Sequence, residues 1–211
     1  MDGSTPNFEF TNNWFSLTAL QNWKSLIPQV KPQKVLEIGS YEGASASYLI
    51  GTNHWCEKMA LFCVDTWEGG VEHQDAAVDM VSVEARFDHN IAQAQMLASK
   101  PSTVTKLKGT SDIQLARLLA DGHGGTFDFV YVDGSHQAPD VMLDALLAFK
   151  LCRIGGCIAF DDYLWAEDLP QGRDPLRCPK MAIDAFTNIF FRKVRLLSAP
   201  LGQVYVTKVA D

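Results

Sequence analysis

The chain has no CxxC pair, no run of basic residues, and no apolar stretch near the roughly 18 residues of a membrane span. Its five cysteines, at 56, 63, 152, 157 and 178, are an odd number scattered through mixed apolar settings. That excludes a disulfide framework and favours reduced core thiols, hence the cytoplasm. Basic residues are outnumbered: 18 lysines and arginines against 25 aspartates and glutamates leave a net charge of -7. Such a balance argues against nucleic acid or a membrane surface as partner. A basic N-terminal region leading into an apolar stretch is also missing, so a soluble, unprocessed chain is expected. Internal repeats, low-complexity tracts and interdomain linkers are absent as well.

What is present suits one α/β domain: 211 residues, 47% of them hydrophobic. Trp14, Leu17, Leu20 and Leu26 suggest a leading amphipathic helix that ends before Pro28. Strand signals fall near 34–38, 60–65, 103–107, 127–132 and 156–160, with helix-like stretches near 43–50, 75–98, 111–120 and 138–151. This alternation implies a parallel sheet covered on both faces. A further helix is expected over about 180–190. Val194–Leu197 and Val204–Thr207 then flank a short turn at Pro200-Leu201-Gly202 and must pair antiparallel, because a parallel crossover needs a dozen or more residues. The expected architecture is Rossmann-like and seven-stranded, with five parallel strands and a terminal hairpin. Residues 1–30 form a helical extension on the core, and 31–211 form the main domain.

The segment Lys34-Val35-Leu36-Glu37-Ile38-Gly39-Ser40-Tyr41-Glu42-Gly43 reads as an apolar strand entering a glycine turn that opens a helix. Asp65 closes the next strand. A turn of this kind, answered by a carboxylate, can hold a nucleoside through its ribose hydroxyls. Tyr41 stands where the dinucleotide fingerprint has its middle glycine, which disfavours a pyrophosphate and a nicotinamide dehydrogenase. Glu37 at the strand end could face a cationic ligand, and S-adenosylmethionine supplies both an ammonium and a sulfonium. The plainer alternative is that both glycines permit a tight turn and Asp65 ends a strand.

These residues resemble motif I of class I S-adenosylmethionine-dependent methyltransferases, and Val64-Asp65-Thr66-Trp67 resembles the second motif. The resemblance runs over about residues 33–165, and the hairpin also matches that family's sheet. It implies that Glu37, Gly39 and Ser40 lie along the methionine portion. It also implies that Asp65, followed by Thr66, accepts from the ribose. Ser111 and Asp112, past the third strand, fall where the family often contacts adenine, although either could instead cap the following helix. On this reading Asp65→Ala weakens cofactor binding and spares the fold.

Asp133 and His136 follow the strand 127–132, and Asp161-Asp162 follow the strand 156–160 at the same sheet edge. Three converging carboxylates repel unless protonated or neutralised, and hard oxygen ligands favour Mg²⁺, Mn²⁺ or Ca²⁺. His136 could take a proton from an acceptor hydroxyl. The D-G-S-H segment and the Asp pair resemble methyltransferase family 24 and the metal-dependent macrocin- and mycinamicin-type sugar O-methyltransferases. By that resemblance Asp133, Asp161 and Asp162 hold a divalent cation, Mg²⁺ foremost, Asp133 also borders the cofactor, and His136 is the base. Ser135 stands where some sugar-methylating members carry an aspartate. Competing readings are an N-cap for Asp133, a solvated turn for Asp161 and Asp162, and a loop hydrogen bond for His136.

The expected function is O-methyl transfer from S-adenosylmethionine to a small hydroxylated acceptor, a sugar or natural-product glycoside among the candidates. A metal-independent O- or N-methyltransferase and a non-catalytic S-adenosylmethionine-binding module are the alternatives. Asn12-Asn13-Trp14-Phe15, the glycine loop Trp67–Gln74 and Tyr163-Leu164-Trp165 could wall the acceptor pocket, with the loop as a lid. A homo-oligomer is compatible with the sequence.

Overall fold

The computed structural model describes residues 7–70, 78–200 and 202–211. Residues 1–6, residues 71–77 and Leu201 lie outside the described residues, and with them the lid reading beyond Gly70 and the tip of the hairpin turn. The strands are β1 (Lys34–Ile38), β2 (Met59–Asp65), β3 (Ser102–Lys108), β4 (Phe127–Val132), β5 (Cys152–Phe160), β6 (Val194–Leu197) and β7 (Val204–Lys208). Among the described residues the helices are α1 (Trp14–Leu17), α2 (Ala19–Val30), α3 (Ala44–Thr52), α4 (Met80–Leu97), α5 (Ser111–Ala120), α6 (Ala138–Leu151) and α7 (Lys180–Ile189). One seven-stranded sheet has the order β3-β2-β1-β4-β5-β7-β6. Its first five strands are parallel, and β7 runs antiparallel to both β5 and β6.

Strand alternation sends side chains to two cores. Leu36, Ile38, Val130 and Ile158 meet Val141, Phe149 and Phe186 from α6 and α7 on one face. Val35, Cys63, Phe129, Tyr131 and Ala159 meet Trp23, Leu49 and Phe87 from α2, α3 and α4 on the other. Both faces are covered, as a parallel sheet requires. Trp23 is fully buried, with its ring edge-on to Phe129 at 5.2 Å and to Tyr131 at 4.7 Å. The leading helix is therefore part of the core. All five cysteines are free and buried. No helix among the described residues is long and apolar enough to cross a membrane.

Two boundaries differ from the expectation. Instead of ending before Pro28, α2 runs through it to Val30 and stops at Lys31, whose φ is 48° and whose N–H bonds Ile27 O at 2.8 Å. Pro28 removes only a late hydrogen bond, and burial of Trp23 and Ile27 outweighs that loss. The fifth strand starts early, at Cys152, because an irregularity shifts its register between Phe127 and Phe129. Gly155, at φ 79°, and Gly156 accommodate it: a Cβ on Gly156 would lie 2.6 Å from Cys152 Sγ. The C-terminal strand is anchored by Lys208, which is buried and donates to the carbonyls of Phe149 and Cys152, both at 3.0 Å, where α6 ends. A cation there also complements the helix dipole.

The strand order reverses at β1 and β4, and ligands of such sheets bind in the crevice past that point. Four backbone bonds extend the ladder there: Gly109 N–H to Asp65 O, Gly39 N–H to Val64 O, Asp133 N–H to Ile38 O and Asp161 N–H to Val132 O, at 2.8–2.9 Å. They hold the residues past the carboxyl ends of the parallel strands in one row.

Asp144 of α6 is 1% exposed, and its Oδ1 lacks a hydrogen-bond partner. Burial pushes its carboxyl up to about 7; the Ser111 hydroxyl opposes the shift, and the like charges of Asp140 and Asp112 add to it. A raised carboxyl stabilises the fold below its ordinary pKa, and that contribution is lost as pH rises toward about 7. Asp144→Asn should therefore be the more stable protein at pH 8, by at most about 4 kcal/mol, and match the wild type near pH 4. Urea unfolding at both pH values checks this; a variant no more stable at pH 8 would show that Asp144 is not strained by its charge.

Candidate active site

Glu37 is the penultimate residue of β1, on the α2 side of the sheet, and is 1% exposed. Its Oε2 accepts from Ser40 Oγ at 2.6 Å, and its Oε1 accepts from Ser45 Oγ. Burial pushes the carboxyl up to about 7 against these hydroxyls and the Cys63 thiol. Gly39 follows at φ 86°, and a Cβ there would lie 2.0 Å from Asp133 O. No side chain fits, so the turn passes directly over the end of β4.

Asp65 is half-buried and answers that turn. Its Oδ2 accepts the N–H groups of Ser40 at 2.9 Å and Tyr41 at 2.8 Å, and its Oδ1 accepts that of Trp67 at 2.7 Å. The carboxylate thus holds Tyr41, at φ 46°, and Trp67, at φ 49°, in the left-handed region. Oδ1 keeps room for one more donor, the place a ribose hydroxyl would take. Trp67 is buried, packs 4.8 Å from Phe87, carries Lys106 over its ring at 4.6 Å, and donates Nε1–H to Tyr41 O at 3.0 Å. It braces the turn. Trp14 is the aromatic on the outer side, 5.3 Å from Tyr41 and half exposed.

Thr66 Oγ1 accepts from Glu68 N–H at 3.1 Å. Ser111 and Asp112 open α5 just past Gly109, which bonds Asp65 O. Ser111 turns its hydroxyl to Asp144, whereas Asp112 is exposed in the first turn of the helix. Thr110, not either of these, is the N-cap.

Asp133, His136, Asp161 and Asp162 line one depression with Phe160 and Ile183. Burial, then the charges of Asp161 and Asp162, hold the Asp133 carboxyl well above the usual range, and burial and Asp162 push Asp161 up to about 6. The two shifts have the same origin: acids crowded away from water. Asp162 has φ 55°, uncommon for a non-glycine residue. Its Oδ2 lies 2.9 Å from His136 Nε2, and the imidazole stacks on Trp165 at 3.9 Å. Asp161 Oδ1 accepts from Asp162 N–H at 2.8 Å and Gln203 Nε2–H at 2.9 Å, while its Oδ2 accepts from the Tyr131 hydroxyl. Among the described residues no group of three or more His, Cys, Asp or Glu side chains is set as a metal cage.

Residues 36–163 match the methyltransferase-domain model of methyltransferase family 24. The chain belongs to this family.

The matched span contains the turn, Asp65, Asp133, His136 and the Asp161-Asp162 pair; Asn22, Trp165 and Gln203 lie outside it. A probable caffeoyl-CoA O-methyltransferase 3 of Dictyostelium discoideum is 25% identical over 163 residues, 75% of this chain and 56% of that protein. The chain thus spans about half the length of this curated relative. Solved structures share the fold. The O-methyltransferase TomG of Streptomyces achromogenes, in complex with SAM, aligns with a TM-score of 0.62 at 19% identity, covering 98% of this chain and 83% of that one. MycE of the mycinamycin biosynthetic pathway, in complex with Mg and SAH, aligns at 0.54 and 23% identity, covering 98% and 52%.

Sequence reasoning for this family member missed Tyr131, Gln203 and the bracing role of Trp67. Tyr131 reads as one more apolar strand residue, and Gln203 carries no motif. The Val64-Asp65-Thr66-Trp67 segment holds the one usable signal, an aromatic directly after the turn-forming acid.

Because Asp65 satisfies three backbone donors, the expectation that Asp65→Ala spares the fold is revised. Each orphaned N–H costs about 1–3 kcal/mol, partly recovered from water at this half-buried site. Asp65→Ala should lose about 2–4 kcal/mol of unfolding free energy without ligand. Unchanged urea denaturation would mean that the turn stands without its carboxylate.

Proposed function

We propose that this chain is an S-adenosylmethionine-dependent O-methyltransferase acting on a hydroxyl of a small acceptor. The observation that carries this reading is the contact between the nucleoside-type turn and the acidic edge: Gly39 passes against the Asp133 backbone with no room for a Cβ. A donor held along Glu37, Gly39, Ser40 and Asp65 would bring its methyl group to Asp133 and His136. Family membership and the SAM and SAH complexes of the fold neighbours support the same cofactor.

In this reading His136 accepts the acceptor's hydroxyl proton as the oxygen–methyl bond forms and the sulfonium–methyl bond breaks. S-adenosylhomocysteine and a methyl ether leave. Asp162, 2.9 Å from Nε2, orients the ring and stabilises the imidazolium, while Trp165 fixes its plane. Thr66, Ser111 and Asp112 are assigned to the ribose and adenine end. Five free, buried cysteines suit a reducing compartment, the cytoplasm.

The donor chemistry of the edge fits a divalent cation. Burial and then the charges of Asp161 and Asp162 raise the Asp133 carboxyl, burial and Asp162 raise that of Asp161, and Asp161 Oδ2, with one hydrogen bond, retains acceptor capacity. Asp133, Asp161 and Asp162 would hold it, Mg²⁺ being the first candidate. When bound, such an ion lowers the pKa of a nearby hydroxyl. A metal-independent form of the reaction rests on a separate observation, the commitment of Asp161 to Tyr131, Gln203 and Asp162 N–H. Transfer to a panel of catechols and hydroxylated glycosides, before and after exhaustive EDTA treatment, separates the two. Loss of turnover that Mg²⁺ restores, with lower metal affinity and kcat in Asp162→Asn, supports the metal form; full activity in EDTA removes it.

His136→Ala tests the base. A base contributes in the transition state, so kcat should fall about a hundredfold or more while S-adenosylmethionine affinity stays nearly constant. Wild-type kcat in the variant would move proton transfer to another group.

A further inference from the structure

Gln203 precedes β7 and is 2% exposed. Its Oε1 accepts from Asn22 Nδ2 of α2 at 2.9 Å and from the Tyr205 hydroxyl at 2.5 Å. With the carbonyl end so occupied, its NH₂ must face Asp161 Oδ1, 2.9 Å away. An unanchored amide could turn over; here the turn would set Oε1 against Asp161 Oδ1, an oxygen that only accepts. On the other oxygen of Asp161 the Tyr131 hydroxyl supplies a second side-chain donor. All these donors are neutral. They set the direction of the carboxylate without cancelling its charge, which stays available to a cation.

We infer that Gln203 is a positioning residue: held by Asn22 and Tyr205, it aims the Asp161 carboxylate into the acidic depression for divalent-cation binding, tying α2 and the terminal hairpin to the reaction edge. This role rests on the metal form of the proposed function. It is distinct from packing, because an apolar side chain of equal length at 203 would fill the same space yet leave Asp161 Oδ1 with the Asp162 N–H alone. Asn22 and Gln203 flank the family-matched span at opposite ends of the chain, so the relay joins segments that only folding brings together.

The test uses Mn²⁺ as probe, with free ion measured by electron paramagnetic resonance in the presence of S-adenosylhomocysteine, so that no acceptor is required. Gln203→Met should weaken Mn²⁺ binding about tenfold or more, in the range typical of outer-shell substitutions. Calorimetry should find S-adenosylhomocysteine affinity unchanged. In an Asp161→Asn background the same Gln203→Met change should alter Mn²⁺ affinity by less than about twofold, because residues acting through one group are not additive. Asn22→Ala, at a half-buried helix position, should weaken Mn²⁺ binding in the same direction by a smaller factor, and it carries the test if Gln203→Met fails to fold. Wild-type Mn²⁺ affinity in a folded Gln203→Met, or in Asn22→Ala where that variant carries the test, overturns the role of Gln203 alone. So does full additivity with Asp161→Asn. No Mn²⁺ binding by the wild-type chain, or undiminished binding in Asp161→Asn, overturns the metal reading and the Gln203 role together.

Discussion

The crossing of the Gly39 turn over the end of β4 sets the geometry of this protein. A Cβ on Gly39 would sit 2.0 Å from the Asp133 carbonyl oxygen and 2.7 Å from Gly134 Cα. Only glycine allows that approach, and the positive φ values of Gly39, Tyr41 and Gly43 turn the chain into α3. Because two backbones meet without an intervening side chain, the turn and the acidic edge have one relative position. The backbone bonds from Gly109 across to Asp161 then carry that position along the sheet. Movement of one strand end would break bonds to the next.

Buried acid is the second constraint. Glu37, Asp161 and Asp144 are almost fully enclosed, and the first two sit at the sheet edge among groups that supply hydrogen bonds but no positive charge. Serine, tyrosine and glutamine donors favour ionisation; burial and like charges oppose it, and the carboxyls are displaced upward where burial wins. In the proposed function such an edge takes a cationic ligand, a sulfonium or a metal ion, since either would relieve the repulsion on binding. Asp65 differs. Its three donors are backbone N–H groups, which makes it the fastener of the turn as well as a candidate ligand.

The fold was largely legible in the sequence. The five parallel strands, the crossover helices and the terminal hairpin fall where apolar runs, helical periodicity and turn residues put them, since these signals act over a few residues. The errors occur where tertiary packing overrides a local rule. Pro28 stays helical because the core takes Trp23 and Ile27. Cys152 joins β5 early because glycines at 155 and 156 absorb a register shift. The packing of Trp67 on Phe87, which braces the turn, is likewise set by tertiary structure.

By itself the sequence determined the sheet, the glycine turn, and the delivery of Asp133, His136, Asp161 and Asp162 to one edge. Strand ends in a parallel sheet share a side, so placing the strands places those residues. Only the tertiary structure decided what each side chain does there. Asp65 Oδ2 is spent on N–H groups from a turn 24 and 25 positions earlier. His136 meets Asp162 across 26 positions, and Asp161 meets Gln203 across 42. Hydrogen bonds over such separations leave no periodicity in a chain, because their partners become neighbours only after the hydrophobic faces of distant elements have closed on one another.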